Sequence, residues 1–319
     1  MNFAQERNYL GILDLIGNTP LVELKNTSPT RGVRIFAKLE GQNPTGSLKD
    51  RIAKNMIEQA EQRGDIEKGC TLLEPTSGNT GISLAFVGRQ KGYKVTVVMP
   101  DNVSQERSQL LTAYGAKIIY SEGNLGSNGA ISTAQRIMKE SPLGRYSMLY
   151  QYGNQDNPGA HYKETGAEIV RDLPDVTVFI AGLGTGGSLM GTGRRLKEYN
   201  PDIKIVAVAP EPDETIQGLR DLEEGFVPPI LDISLLDARI MAKGIDAFRG
   251  TQQLLVQEGI FAGVSSGSVF WAAMKVAEGM SGGNIVCLLA DGGWKYLSTG
   301  LWTKDPAHME EEGRGKIWW

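Results

Sequence analysis

The chain has 319 residues, 40% apolar and 22% charged, with a formal net charge of −4, two cysteines and two histidines. This is the composition of a folded globular protein long enough for two cores, and it argues against a disordered, fibrous or disulfide-stapled one. No basic cluster offers the face that a nucleic acid needs, and no apolar run approaches the ~20 residues of a membrane helix. The opening MNFAQERNYLGILDLIG carries charges where a secretion signal is apolar, so the protein is expected in the cytoplasm. Cys70 and Cys287 lie far apart in or beside apolar segments and are expected as reduced core residues. His161 and His308 are too few for a multi-histidine metal site, and no metal is expected.

In chain order, Gly17-Asn18-Thr19-Pro20 is a turn ahead of two alternating runs, 21–24 and 33–40, which read as antiparallel strands. Asn43-Pro44-Thr45-Gly46-Ser47 follows as a non-helical loop. Ser47 is the expected N-cap of an amphipathic helix with Ile52, Ala53, Met56, Ile57 and Ala60 on one face, ended by Gly64. Strands are then expected at 71–75, 94–100, 117–120 and 147–150, with helices over 82–90, 104–114 and 127–139 between them. A second series has a helix over 163–172, strands at 176–180 and 203–208 with a helix between, and an irregular stretch over 210–238. Helices over 247–258 and 268–278 and a strand at 285–290 complete it.

Such βαβ alternation with near-continuous apolar strands implies parallel sheets buried under helices. The expected fold is α/β, with two doubly wound parallel-sheet domains and a ligand between them. The smaller domain takes 1–12 and 40–150, the larger 13–39 and 151–303, and 304–319 is a polar, acidic tail ending in Ile317-Trp318-Trp319.

Lys49 falls in the first turn of its helix, where unpaired N–H groups and the helix dipole disfavour an ammonium. A lysine with a lowered pKa is a nucleophile for carbonyls, most commonly in a Schiff base. An ordinary solvated lysine at a helix start is the plainer alternative, and the loops beyond the strand ends weigh against it, because ligands of open α/β sheets bind there. Thr76-Ser77-Gly78-Asn79-Thr80 combines hydroxyls, an amide and helix-start N–H groups, which suits a carboxylate better than a simple cap. Gly182-Leu183-Gly184-Thr185-Gly186-Gly187-Ser188 is either a phosphate cradle or, with Glu211 as ribose acid, a dinucleotide site. Gly263-Val264-Ser265-Ser266-Gly267 presents a serine to a heteroaromatic nitrogen or simply caps a helix. Gln151 ends a strand, as a carboxylate ligand or a turn amide.

NPTGSLKDR, EPTSGNTG, GLGTGGS and GVSSGS, in this order, resemble the cysteine synthase family of pyridoxal-phosphate enzymes, the fold type II group, over nearly the whole chain. The resemblance implies that Lys49 holds pyridoxal 5'-phosphate as a Schiff base and that Asn79 meets the oxygen on its ring. It gives the phosphate to Gly184, Thr185, Gly186, Gly187 and Ser188, the pyridine nitrogen to Ser265, and the substrate carboxylate to Thr76, Ser77, Thr80 and Gln151. The implied reaction is β-replacement on an activated serine through an α-aminoacrylate, with Lys49 moving the Cα proton. MPDNVSQER and Gln217-Gly218-Leu219-Arg220 are similar to the B-type enzymes. Glu223-Glu224-Gly225-Phe226-Val227-Pro228 and Asp291-Gly292-Gly293-Trp294-Lys295-Tyr296-Leu297-Ser298-Thr299 are similar to the branch that uses O-phosphoserine and a small sulfur-carrier protein as donor.

Arg220 suits a phosphate leaving group, although enzymes that use O-acetylserine also carry an arginine here. The family further implies a homodimer, and the phosphoserine branch a tail that closes over the site. Three alternatives are an O-acetylserine sulfhydrylase, a cystathionine β-synthase core or serine/threonine dehydratase, and, from another class, a dinucleotide-binding protein.

Overall fold

The computed structural model describes residues 11–76, 78–212, 214–223 and 225–304. Ser77 and the tail from 305 onward, including the expected lid, lie outside the described residues.

The β-rich start is a hairpin: β1 (Leu21–Glu23) pairs antiparallel with β2 (Val33–Leu39), Leu21 opposite Lys38. Helix α1 (Lys49–Arg63) leads into β3 (Thr71–Pro75), α2 (Asn79–Lys91), β4 (Lys94–Pro100), α3 (Gln105–Ala113), β5 (Lys117–Ser121), α4 (Gly126–Glu140) and a short β6 (Tyr146–Ser147). Strands β3 to β6 form a parallel sheet in the order β5-β4-β3-β6. Next come α5 (Asp156–Ala160), a π-helical turn over His161–Gly166, α6 (Ala167–Asp172), β7 (Val178–Gly182), α7 (Gly187–Tyr199) and β8 (Lys204–Pro210). Strand β9 (Ala238–Ala242), helices α8 (Gly244–Glu258) and α9 (Val264–Glu278), and β10 (Gly283–Leu289) follow. The second sheet runs β1-β2-β10-β7-β8-β9 and is parallel apart from the hairpin.

Alternation along each strand sends side chains to opposite faces, and both faces are covered. In the six-stranded sheet Ile35, Ile180, Val208 and Ile285 pack with Leu254 of α8 and Phe270 of α9. Their neighbours Phe36, Phe179, Ala207 and Val286 pack with Ile169 of α6 and Leu189 and Leu196 of α7. In the smaller sheet Leu72, Val95 and Val97 meet Ile52 and Met56 of α1 and Ile82 of α2, while Leu73 and Val98 meet Ala130 and Ala134 of α4. The architecture is the doubly wound α/β fold expected from the sequence.

Four expectations are corrected. Strand β6 stops at Ser147 because Tyr150 turns into the left-handed region (φ 58°) and the chain leaves the ladder. The helix expected over 163–172 is the end of a run that starts at Asp156, with Pro158 tolerated in its first turn. Strand β9 lies where the sequence reads as irregular, because Ala238–Ala242, at the sheet edge, has little alternation to read. Ser47 is not the N-cap: α1 begins at Lys49 after a helical Leu48, and the Ser47 hydroxyl accepts the Lys49 N–H only at 3.4 Å.

Candidate active site

Lys49 is presented by a loop fastened on two sides. Gly46 takes φ 79°, its carbonyl accepts the Gly292 N–H at 3.1 Å, and the Leu48 N–H donates to the Ala290 carbonyl at 2.9 Å, beyond the end of β10. The Asp50 carboxylate turns back to accept the Thr45 N–H at 2.7 Å. Arg51, fully buried, forks onto Glu40 (Nε to Oε2, 2.7 Å) and onto Glu168 of α6 (2.7 and 2.8 Å), which also pairs with Lys38 of β2 at 2.6 Å. Helix α1, which covers the smaller sheet, is thus ion-paired to elements of the larger one.

Burial pushes the Lys49 amine down to about 8, against the pull of Asp291 and Glu40. The direction agrees with the sequence reading, and its leading cause is desolvation of the buried amine.

Lys49 opens into a cavity of about 440 Å³ that also receives Thr76, Asn79, Thr80, Gln151, Gly184, Thr185, Arg220 and Ser265. Helices α2 and α9 start earlier than the periodicity suggested, so Asn79, Thr80 and Ser265 occupy first helical turns. The Thr80 hydroxyl donates to Gln151 Oε1 at 2.7 Å, and the Thr76 hydroxyl accepts the Gly78 N–H at 3.1 Å. An adjoining hollow is lined by Lys49, Gly184, Thr185, Gly186, Ser188 and Ser265. Its wall is backbone that leaves no room for side chains: a Cβ on Gly184 would lie 2.8 Å from the Gly218 carbonyl, and Gly186 sits at φ 88°. Gly187, also expected at the phosphate, does not line this hollow; it opens α7 packed against Asn157, which a Cβ there would strike. With the N-terminus of α7 directly behind, this cradle fits a phosphate, and the lysine, serine and asparagine around the larger cavity fit a pyridoxal ring.

Arg220 is 7% exposed and packs beside a touching edge-to-face pair of rings, 5.4 Å from the centre of Tyr152 and 4.9 Å from that of Phe226. Its guanidinium donates to Asn128 Oδ1 at 3.1 Å, and among the described residues no carboxylate stands at ion-pair distance from it.

Several contributors were not legible in the motifs. Glu74, buried on β3, accepts the Tyr150 and Gln151 N–H groups with its two oxygens at 2.8 Å each, replacing the ladder where β6 has ended. Burial pushes its carboxyl up to about 7 against those two bonds. Asn157 donates to the Gln151 carbonyl at 2.8 Å and to the Thr185 hydroxyl at 3.1 Å, tying carboxylate pocket to glycine loop. Asp291, Lys295 and Tyr296 surround Asn79: Lys295 Nζ donates to Asn79 Oδ1 and Asn79 Nδ2 to Asp291 Oδ2, each at 2.7 Å, and the Tyr296 hydroxyl donates to the same Asp291 oxygen. The phosphoserine-like segment holds all three, yet nothing in its spacing marks them as partners of a loop some two hundred residues earlier.

Other nucleophiles and bases are poorly placed for chemistry. Burial pushes the Cys287 thiol up to about 12 and the His161 imidazole down to about 3. Glu211, which a dinucleotide reading requires as ribose acid, reaches toward Lys243 at 3.9 Å. Among the described residues no group of three acidic, histidine or cysteine side chains is arranged to hold a metal, and no helix is long and apolar enough to cross a membrane.

The profile of the family described as pyridoxal-phosphate dependent enzymes matches residues 12–291. Cysteine synthase B of Salmonella typhimurium is 43% identical over 291 residues, covering 91% of this chain and 95% of its own. Among solved structures, a cysteine synthase from Entamoeba histolytica superposes with a TM-score of 0.88 at 37% identity, covering 98% of this chain and 97% of that one. A hydrogen sulfide-producing enzyme from Fusobacterium nucleatum gives 0.86 at 42% identity, with 91% and 100% covered.

Proposed function

The chain belongs to the pyridoxal-phosphate dependent enzyme family, and from that premise we propose that it is a cysteine synthase that prefers O-phospho-L-serine to O-acetyl-L-serine. Pyridoxal 5'-phosphate is the cofactor of the family, and when bound it supplies the electron sink that makes Cα acidic and the β-substituent a leaving group.

The chain's own residues divide the remaining work. Lys49 Nζ would hold the cofactor aldehyde and would move the substrate Cα proton, a role for which burial already lowers the amine's pKa toward neutrality, to about 8 in the ligand-free chain. Gly184, Thr185, Gly186, Gly187 and Ser188 receive the phosphate. Ser265 would face the ring nitrogen with a neutral hydroxyl where a carboxylate would make the ring a stronger electron sink, which suits elimination better than transamination. Thr76, Ser77, Thr80 and Gln151 take the substrate carboxylate, and Asn79 the ring oxygen. Sulfur would be delivered to Cβ by sulfide, or by the thiocarboxylated C-terminus of a small carrier protein, in which case water must afterwards cleave the acyl–sulfur bond to release cysteine and the carrier's carboxylate.

The observation that supports the phosphoserine preference is Arg220, a buried guanidinium that lines the cavity beside the Tyr152 and Phe226 rings with no carboxylate at ion-pair distance among the described residues. A doubly charged phosphate would supply that counter-charge through paired hydrogen bonds, whereas an acetyl group would leave it unmet. Arg220→Gln tests it. With charge-assisted hydrogen bonds worth about 1.5–3 kcal/mol, kcat/KM for O-phosphoserine should fall by about 10- to 100-fold while that for O-acetylserine moves little. An equal fall with both substrates, or a wild type that turns over only O-acetylserine, would transfer the assignment to the acetylserine enzymes.

A further inference from the structure

We propose that Lys295 is a positioning residue for the cofactor: with Asp291 it clamps the Asn79 amide in one orientation, so that an Asn79 N–H is offered to the oxygen of the pyridoxal ring. The proposal rests on the reading of the site given above and extends it to a residue outside the four loop motifs.

An asparagine side chain has two ends of nearly equal shape, so its orientation is decided by its partners. Those of Asn79 each have a single role. The Lys295 ammonium can only donate, and it meets Oδ1 at 2.7 Å, while the Asp291 carboxylate can only accept, and it meets Nδ2 at 2.7 Å. A flipped amide would set NH2 against NH3+ and C=O against a carboxylate, two repulsive contacts in place of two charge-assisted hydrogen bonds. The Tyr296 hydroxyl fixes the accepting oxygen of Asp291 from the other side. Because Nδ2 carries two hydrogens and Asp291 uses one, a second N–H remains for a ligand in the cavity that Asn79 lines.

The clamp is anchored and dry. Lys295 lies in the 3-10 helix Gly293–Thr299, its carbonyl accepts the Ser104 hydroxyl at 3.0 Å, and its side chain is fully buried. Among the described residues no carboxylate lies within ion-pair distance of its ammonium, so the hydrogen bond to Asn79 is its direct satisfaction, with Asp291 and Asp50 acting at longer range. Burying a cation this way carries a desolvation cost, and an apolar side chain of similar length would fill the same volume without that cost. What the charge adds is a pull on the amide carbonyl that makes the opposite N–H a stronger donor toward a phenolate-like oxygen.

The experiment is the visible absorbance spectrum of the holoprotein, with cofactor affinity from reconstitution of apoprotein, for wild type, Lys295→Met, Lys295→Gln, Asn79→Ala and Lys295→Met with Asn79→Ala. The lysine-bound cofactor absorbs according to the charge on its ring oxygen. Lys295→Met is expected to shift the absorbance maximum or band ratio in the direction of Asn79→Ala, to weaken cofactor affinity about tenfold, and to add nothing on top of Asn79→Ala. Lys295→Gln keeps a donor without the charge and gives an intermediate spectrum, and it carries the test if the methionine variant fails to fold. Wild-type spectra and affinity in the folded lysine variants, or additive losses in the double variant, would overturn the clamp. A wild type with no visible band at all would instead sink the reading of the site itself.

Discussion

Lys49 is an amine in a place that penalises its charge, and the penalty has a direction in pH. Its pKa falls from 10.5 to about 8 on folding, so between those values the unfolded chain holds the extra proton and the native state gains stability as pH rises. That stability is complete above about 10.5 and lost as pH falls through 8. For the apoprotein, Lys49→Met should therefore be more stable than wild type at pH 7, by an amount on the order of 1–3 kcal/mol, with the gap closing between pH 8 and 10.5. Urea titrations across that range measure it, and a gap independent of pH would show that the amine is not desolvated in the fold. Glu74 is the opposite case. Its carboxyl is raised to about 7, so its contribution to stability is fully present below 4.5 and declines as pH rises through 7, while the ionised form is the better acceptor for the two N–H groups that place Gln151.

At the scale of elements, the turn before α1 is the most constrained segment near the site. Gly46 combines a left-handed backbone with contact against Trp294, where a Cβ would come within 2.4 Å of the indole. Gly46→Ala meets both obstacles, and the backbone term alone is about 1–2 kcal/mol. Because the same turn carries Lys49, the expected result is a lowered urea midpoint together with weaker cofactor retention. Unchanged retention in a destabilised variant would mean that the turn and the lysine move independently. The opposite wall behaves similarly: the glycine loop is held from behind by Asn157, whose amide reaches both Gln151 and Thr185.

For the molecule as a whole, the cavity is shared between the two sheets. Asn79 and Thr80 follow β3 of the smaller sheet, Gly184 and Thr185 follow β7 of the larger one, and Lys49 hangs from the end of β10. A ligand that touches all of them links the two layers, and stabilisation follows from mass action: at a hundredfold excess over its Kd the cofactor contributes about 2.7 kcal/mol. Thermal unfolding should show holoprotein melting above apoprotein in one transition. Equal melting temperatures would count against a cofactor held between the sheets.

The sequence by itself determined the order and kind of most elements, because alternating strands and amphipathic helices are local patterns. It also supplied the loops that carry chemistry, because glycines, hydroxyls and a lysine at helix starts announce what they can bind. It misjudged β6, β9 and several helix starts, where tertiary contacts override local propensity, as when Glu74 takes the N–H groups that a longer strand would have paired. Only the tertiary structure decided which side chains govern those loops. Glu74 to Gln151 spans 77 positions, Arg51 to Glu168 spans 117, and Lys295 to Asn79 spans 216. A buried charge draws its partner from wherever the fold brings an acceptor or donor within hydrogen-bond reach, and no periodicity along the chain records that distance.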